Sequence, residues 1–240
     1  MLKELTVKEY KNSLINIFTV TEFDENINYR KSPSLFSSDK MRFVYFSIHY
    51  NTFVFPLLIK IFANGIINGK INYFSFYKSL KDNTWYGQRF EKRLAERDLD
   101  ENTTWLSLFA PALYEYFAQI EMGFIMTGRQ TPNYILCIDS LTLKFEGAMR
   151  DFIRLIGGNT SVEKEGEFRE QTLEQLLSNK TILENFSIED ITLFEYVFTN
   201  KGWNIRNNVA HCFYPYSSYS FEKATIVLLC ILRLGRYRLK

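Results

Sequence analysis

The side chains of this 240-residue chain that could do chemistry gather most densely in one short run, W-N-I-R-N-N-V-A-H-C-F, from Trp203 to Phe213. Wound as a helix at about 100° per residue, the run places Asn204, Asn207, Asn208 and His211 on one face. Ile205, Val209, Cys212 and Phe213 fall on the opposite, core-facing side. A solvated helix face is ordinarily built from Lys and Glu, which form helix better than Asn, so three amides and an imidazole on one face point to another purpose. Arg206 lies about 140° round from His211, with the small Ala210 between them leaving room for the guanidinium to swing across. The pair suits phosphodiester cleavage. Histidine moves protons near neutral pH. Arginine braces a phosphate with a two-pronged fork and stabilises charge as it builds. The asparagines can hold the imidazole tautomer or bind phosphate and ribose.

Supporting groups are sparser. Glu146 and Arg150 are spaced i, i+4 on a preceding helix, the spacing of a surface ion pair worth a few tenths of a kcal/mol. Alternatively Glu146 or Asp151 orients His211 or Arg206 across the helix pair. Arg89, Lys92, Arg93 and Arg97 form a basic helical cluster broken by Glu91 and Glu96, read as a solvated face or as an RNA-guiding surface. The aromatics of Ile71–Tyr77 could stack on bases, but core packing is the ordinary use of such a run. His49 is a lone histidine in an aromatic helix. No spacing of acids, histidines and cysteines suggests a metal site, and nothing calls for a cofactor.

The elements that must position these groups are helical. Hydrophobic residues make up 46% of the chain and aromatics 17%, ample for a core, whereas only 11 Gly and 5 Pro are present. Sandwiches and barrels need turn residues more often than that. A net charge of +2 is too small for a protein that coats DNA. Thr6 and Glu9 cap a first helix, Val7–Phe18. Residues 19–37 read as loop. A long apolar segment from Asp39 to Ile67 is kinked or divided at Pro56, with turn signals at Asn64-Gly65 and Asn68-Gly69. Taken alone, Ile71–Tyr77 has the look of a short strand. Thr84–Arg97 is helical and charged, and the acidic stretch Asp98–Thr104 is the best internal boundary, dividing 1–104 from 105–240. Beyond it come a buried helix, Pro111–Met126, and a helix capped by Thr131 with Pro132 at its first position, stopped by Gly157-Gly158. A polar loop (Asn159–Gly166) and a short helix (Phe168–Leu177) follow. Then come a helix begun by Ser187 and Asp190, the Trp203–Phe213 helix, and a last apolar helix, Phe221–Arg238.

Three scattered cysteines make no disulfide framework, and the N-terminus is not of signal-peptide type, so the expected setting is the cytoplasm. The longest clean apolar run, Ala224–Leu232, is too short to span a bilayer, and Phe53–Ile67 is broken by Pro56, Lys60 and Asn64. No membrane is expected.

The string N-I-R-N-N-V-A-H (Asn204–His211) resembles the R-x4-6-H signature of the HEPN superfamily of all-helical nucleotide- and RNA-associated domains. F-E-G-A-M-R-D-F (Phe145–Phe152) before it and F-E-K-A-T-I-V-L-L-C-I-L-R-L (Phe221–Leu234) after it are similar to the flanking parts of a bacterial HEPN-like family of unknown function. The likeness covers about residues 107–240. Cys212 departs from it, since relatives often carry Gly after the His. Residues 1–104 lie outside the likeness and are read from their own pattern as an N-terminal helical accessory region. The resemblance implies an all-α, HEPN-like bundle over the C-terminal part. It also implies a homodimer with two motifs facing each other, and a metal-independent endoribonuclease, often a toxin or antiviral effector held by an antitoxin or defence partner. In that picture Arg206 and His211 are catalytic and Asn207 orients. Asn204, Glu146, Arg150 and Asp151 support them, RNA is the substrate, and Arg89, Lys92 and Arg93 guide it. Other members have lost activity and serve as RNA- or nucleotide-binding or dimerisation modules, which is the alternative reading.

Overall fold

The structure, a computed structural model, describes residues 21–23, 29–31, 38–88, 103–125 and 132–238. The expected first helix, Val7–Phe18, lies outside them, as do Arg89, Lys92, Arg93 and Arg97. Among the described residues the fold is all-α in class, with two small antiparallel hairpins. The chain divides into two compact units, Met1–Phe53 and Val54–Lys240.

In the first unit, part of the segment read as loop is a hairpin: β1 (Thr21–Phe23) pairs with β2 (Tyr29–Lys31). Helix α1 follows at Ser38–His49 and runs into a π-helical turn, Tyr50–Val54. Phe46 stacks on Tyr50 with ring centres 3.8 Å apart, and His49 is exposed.

In the second unit, α2 (Phe55–Ile67) carries Pro56 in its first turn, where the missing N–H costs nothing. By length and composition alone the helical stretch Phe43–Ile67, 25 residues with 6% of its most apolar window buried, is long and apolar enough to cross a membrane, although the sequence pattern reads it as interrupted at Pro56, Lys60 and Asn64. Gly65 makes no turn. It sits inside α2, where a Cβ would come within 2.5 Å of the Ile71 side chain. The true turn is at Asn68-Gly69, with φ of 66° at the glycine. Ile71–Tyr77 is not a strand: the capping box of Asn72 and Ser75 starts helix α3, Tyr73–Asn83. A single 3-10 turn, Trp85–Gly87, follows α3.

Helix α4 spans Trp105–Ile125, six residues longer at its start than the pattern suggested, because Thr104 and Ser107 cap it reciprocally and Pro111 is accommodated inside. It is amphipathic: Leu113, Tyr116 and Phe117 are buried while Tyr114 and Met122 are exposed. Helix α5 (Ile135–Leu155) packs along α4. Pro132 precedes α5, and Asn133 Oδ1 accepts from the Ile135 amide. The chain leaves α5 at Gly157-Gly158 as expected. The next segment corrects two expectations. Instead of a loop and then a helix from Phe168, β3 (Ser161–Lys164) and β4 (Glu167–Glu170) form a hairpin around Glu165-Gly166, both at positive φ. Short helices α6 (Leu173–Leu177) and α7 (Lys180–Asn185) lead to α8, Ile188–Phe198, capped by Ser187. Helix α9 is Ile205–Ala210, and α10 is Phe221–Gly235, capped by Ser220.

Helix α10 packs against α2, α3, α5 and α8. Phe145 stacks on Phe198 at 4.3 Å, and the buried Tyr116 hydroxyl meets Thr225 Oγ1 at 2.7 Å. The Trp85–Gly87 turn shares this core. Trp85 Nε1 donates to the Leu234 carbonyl (3.2 Å), the Tyr86 hydroxyl donates to the Ile231 carbonyl (2.7 Å), and both side chains are buried. The division therefore falls at Phe53/Val54, since α2, α3 and the Trp85–Gly87 turn belong to the C-terminal unit.

Candidate functional site

The site begins with a tight turn. After α8 ends at Phe198, the Gly202 amide donates to the Thr199 carbonyl and the Trp203 amide donates to the Tyr196 carbonyl at 2.7 Å. A Cβ on Gly202 would lie 2.1 Å from the Tyr196 carbonyl oxygen, so only glycine passes here. Asn204 then takes a left-handed conformation, φ 52° and ψ 32°, which asparagine tolerates better than most residues. This reversal lays α9 against α5 and α8. Ile205 and Val209 are buried and anchor it.

Helix α9 is shorter than the Trp203–Phe213 pattern, and its end has a physical cause. The Cys212 amide donates to the Val209 carbonyl and the Phe213 amide to the Asn208 carbonyl, while Cys212 sits at φ 56°. That is a Schellman ending, with Cys212 at the left-handed position usually given to glycine. The wheel therefore fails beyond Ala210. Cys212 and Phe213 are exposed and do not face the core. Asn208 also leaves the expected polar face. It is buried and its amide donates to the Trp203 carbonyl at 3.4 Å.

Arg206 does not swing across Ala210 toward His211. Its Nε donates to Glu146 Oε2 at 2.8 Å, and its Nη1 donates to Asn207 Oδ1 at 3.2 Å. Asn207 in turn donates to Asn204 Oδ1 at 2.9 Å. The other oxygen of Glu146 receives Arg150 Nη2 at 2.9 Å. A buried carboxylate thus bridges two guanidiniums, and the i, i+4 ion pair and the cross-helix contact coexist. Arg150 is held further by the Gln171 carbonyl at 2.9 Å and by Glu170 at 3.2 Å. Asp151 is turned elsewhere: it accepts from Trp105 Nε1 at 3.1 Å and pairs with Arg154. The structure therefore brings together Arg206, Asn207, Asn204, Glu146 and Arg150, and leaves Asp151 apart.

Arg206 and Asn207 also line a small cleft of about 120 Å³ with Thr172, Leu173, Glu174, Phe198 and Thr199, so the cleft carries one carboxylate besides the guanidinium. Arg206 Nη2 makes no hydrogen bond among the described residues. His211 is the last residue before the left-handed turn. It is exposed, with its ring stacked on Phe213 at 5.4 Å, and among the described residues nothing hydrogen-bonds its imidazole. No hydrogen bond joins it to Arg206.

Two residues near the His211 end escaped the sequence reading. Tyr219 faces Asp139 of α5 and interacts with Cys212. Burial pushes the Asp139 carboxyl above its usual range, while the Tyr219 hydroxyl pulls it down. Burial and the same carboxylate push the Tyr219 phenol up to about 12. Tyr219 stands in a connection where no periodicity marks it. Leu136 and Leu143 share the α5 stripe of Asp139 and Glu146 and are exposed, as are Phe213 and Tyr216. No three His, Cys, Asp or Glu side chains come together as a metal site among the described residues. Compared with known proteins, the chain matches no family profile, no curated protein and no solved structure.

Proposed function

We propose that this protein is a HEPN-type endoribonuclease that cuts RNA without a metal. One observation carries the reading. Arg206 lines a cleft and is oriented by a buried carboxylate and an asparagine, its Nη2 left over, while the same short helix ends at an unpaired, exposed His211. In the proposed reaction the RNA 2′-hydroxyl attacks the adjacent phosphorus and the bond to the 5′-oxygen breaks. His211 assists the proton transfer, Arg206 stabilises the charge on the phosphorane-like oxygens, and Asn207 fixes the guanidinium plane. The exposed apolar side chains Leu136, Leu143, Phe213 and Tyr216 support a second copy as the partner on this side. The setting in this reading is the cytoplasm, and a toxin or defence role with a controlling partner protein is its biological form.

The test is incubation with total RNA in EDTA, comparing the native chain with His211→Ala and Arg206→Ala. Cutting by the native chain alone, leaving 2′,3′-cyclic phosphate and 5′-hydroxyl ends, supports the proposal. Cutting that requires magnesium puts the active site elsewhere. A second reading, a non-catalytic RNA-binding or dimerisation module, is favoured by the engagement of Arg206 with Glu146 and not with His211. RNA binding without cutting by the purified dimer would select it.

A further inference from the structure

Four aromatic rings meet on the outer side of α3 and α4. The Tyr73 ring is edge-on to Phe74 (5.4 Å, 72°) and to Tyr114 (5.5 Å, 85°), and lies 5.8 Å from Tyr77. Phe74 is 81% exposed and Tyr114 is 61% exposed. Tyr73 and Tyr77 are half-buried. Burial and the neighbouring Tyr77 and Tyr114 phenols raise the Tyr73 hydroxyl, so three phenol oxygens converge on this spot. The core does not need these rings, because α3 already turns Phe76 and Leu80 inward. Leaving a phenylalanine in water forgoes a burial gain that a Lys or Glu at the same position would not waste.

The charges beside the rings are basic. Round α3, Tyr77, Lys81, Phe74 and Lys78 follow one another over about 100° of arc. Both lysines are exposed, and neither enters an ion pair among the described residues. Glu115, next to Tyr114, receives Gln119 at 2.7 Å. Asp82 lies on the far side of Lys78. The set holds no aliphatic side chain, which separates it from the Leu- and Ile-rich surfaces that face lipid or a partner helix. Ring faces with hydroxyl rims and unpaired ammonium groups match an unstacked nucleobase followed by a phosphate.

We propose that Tyr73, Phe74, Tyr77 and Tyr114, with Lys78 and Lys81, form a docking platform for single-stranded RNA. Bases stack on the Phe74 and Tyr114 rings and the backbone passes the two lysines. The inference rests on the RNA reading above and extends it to how substrate is held away from Arg206 and His211.

The experiment uses the full chain carrying His211→Ala, so that the probe stays intact, and a fluorescein-labelled single-stranded RNA of about 12 nucleotides. Anisotropy should show Phe74→Ala and Tyr114→Ala each weakening binding about five- to tenfold. Lys78→Gln with Lys81→Gln should flatten the slope of log affinity against log salt by about 1.4, at about 0.7 per lysine. Phe168→Ala, which removes an equally exposed ring on the β3–β4 hairpin, should change nothing. Circular dichroism checks that the variants stay folded. Variants that bind RNA like their parent overturn the platform, even if the native chain cuts RNA. Binding lost in the patch variants while the native chain never cuts keeps the platform and removes the ribonuclease. Anionic vesicles or a protein captured through Phe74 and Tyr114, with no RNA effect, also overturn it.

Discussion

Replacing Glu146 by Gln tests the anchor on which the site depends. The carboxylate, with its side chain 11% exposed, lies between Arg206 (29%) and Arg150 (19%). An amide of the same shape keeps one acceptor, but its NH2 group must face the other guanidinium. Arg150 retains Glu170 and the Gln171 carbonyl, so the damage falls on Arg206, which retains only Asn207 among the described contacts. A charge-assisted hydrogen bond contributes about 1.5–3 kcal/mol, and breaking a fully buried pair costs about 3–5. Partial exposure of both arginines lets water replace part of the loss, so about 2 kcal/mol is expected. In a chain of this size that corresponds to a Tm lower by roughly 4–8 °C. Adding Arg206→Gln to Glu146→Gln should cost less than the sum of the single changes by about 1 kcal/mol, since no buried charge is then stranded. On the proposed reading, RNA cleavage should fall at least about tenfold in Glu146→Gln, the guanidinium being no longer held in one plane. A melting temperature within about 1 °C of native, or strictly additive single changes, would refute the anchoring argument.

Three further outcomes are expected. Cys212→Gly should raise stability by about 1 kcal/mol, because the residue sits in the left-handed region; a lower Tm would contradict the Schellman ending. Asp139→Asn should raise the Tm at pH 7, with the gain fading toward pH 4. Burial makes the folded carboxyl bind its proton more tightly than the unfolded one does, so stability is lost as pH rises through the folded value; a gain equal at both pH values would point to packing. A chain beginning at residue 105 should fail to fold cooperatively in urea, since it lacks the Trp85 and Tyr86 side chains buried beside α10; a sharp unfolding transition would restore the boundary near residue 104.

Local signals in the sequence located most helices. Ser187 with Asp190 marked the start of α8, and the glycine pair marked the end of α5. The errors have particular causes. The apolar pattern marks a helix only from Pro111, but the reciprocal cap of Thr104 and Ser107 starts α4 earlier, at Trp105. The β3–β4 hairpin was read as loop and helix, although Glu165-Gly166 is a turn of the left-handed kind that hairpins use. A wheel assumes unbroken helical backbone, so it could not show that Cys212 reverses the chain and puts Phe213 in solvent. The unit boundary depends on contacts such as Trp85 to Leu234, 149 residues apart, which no local pattern carries. Glu146 was reached from its spacing with Arg150 and from the resemblance. Which of the acids 146 and 151 meets Arg206 is fixed only by the packing of α9 on α5.

The geometry of α9 also bears on how Arg206 and His211 can serve one phosphate. They stand five residues apart, about 7.5 Å along the axis and about 140° round it. Arg206 is committed to α5 through Glu146, whereas His211 closes the helix at the exposed end beside Phe213. A six-residue helix has no bend with which to bring them together. On the proposed reading a second copy related by a two-fold axis would supply what one copy lacks, because such an interface is self-complementary and sets one motif against the other. The exposed Leu136 and Leu143 lie on the α5 stripe of Asp139 and Glu146, an apolar surface that such a two-fold contact would bury. On the proposed reading, dimerisation is therefore a step in assembling the catalytic groups. Substituting Leu143 by a charged residue should then abolish dimer and cleavage together, with each folded protomer preserved.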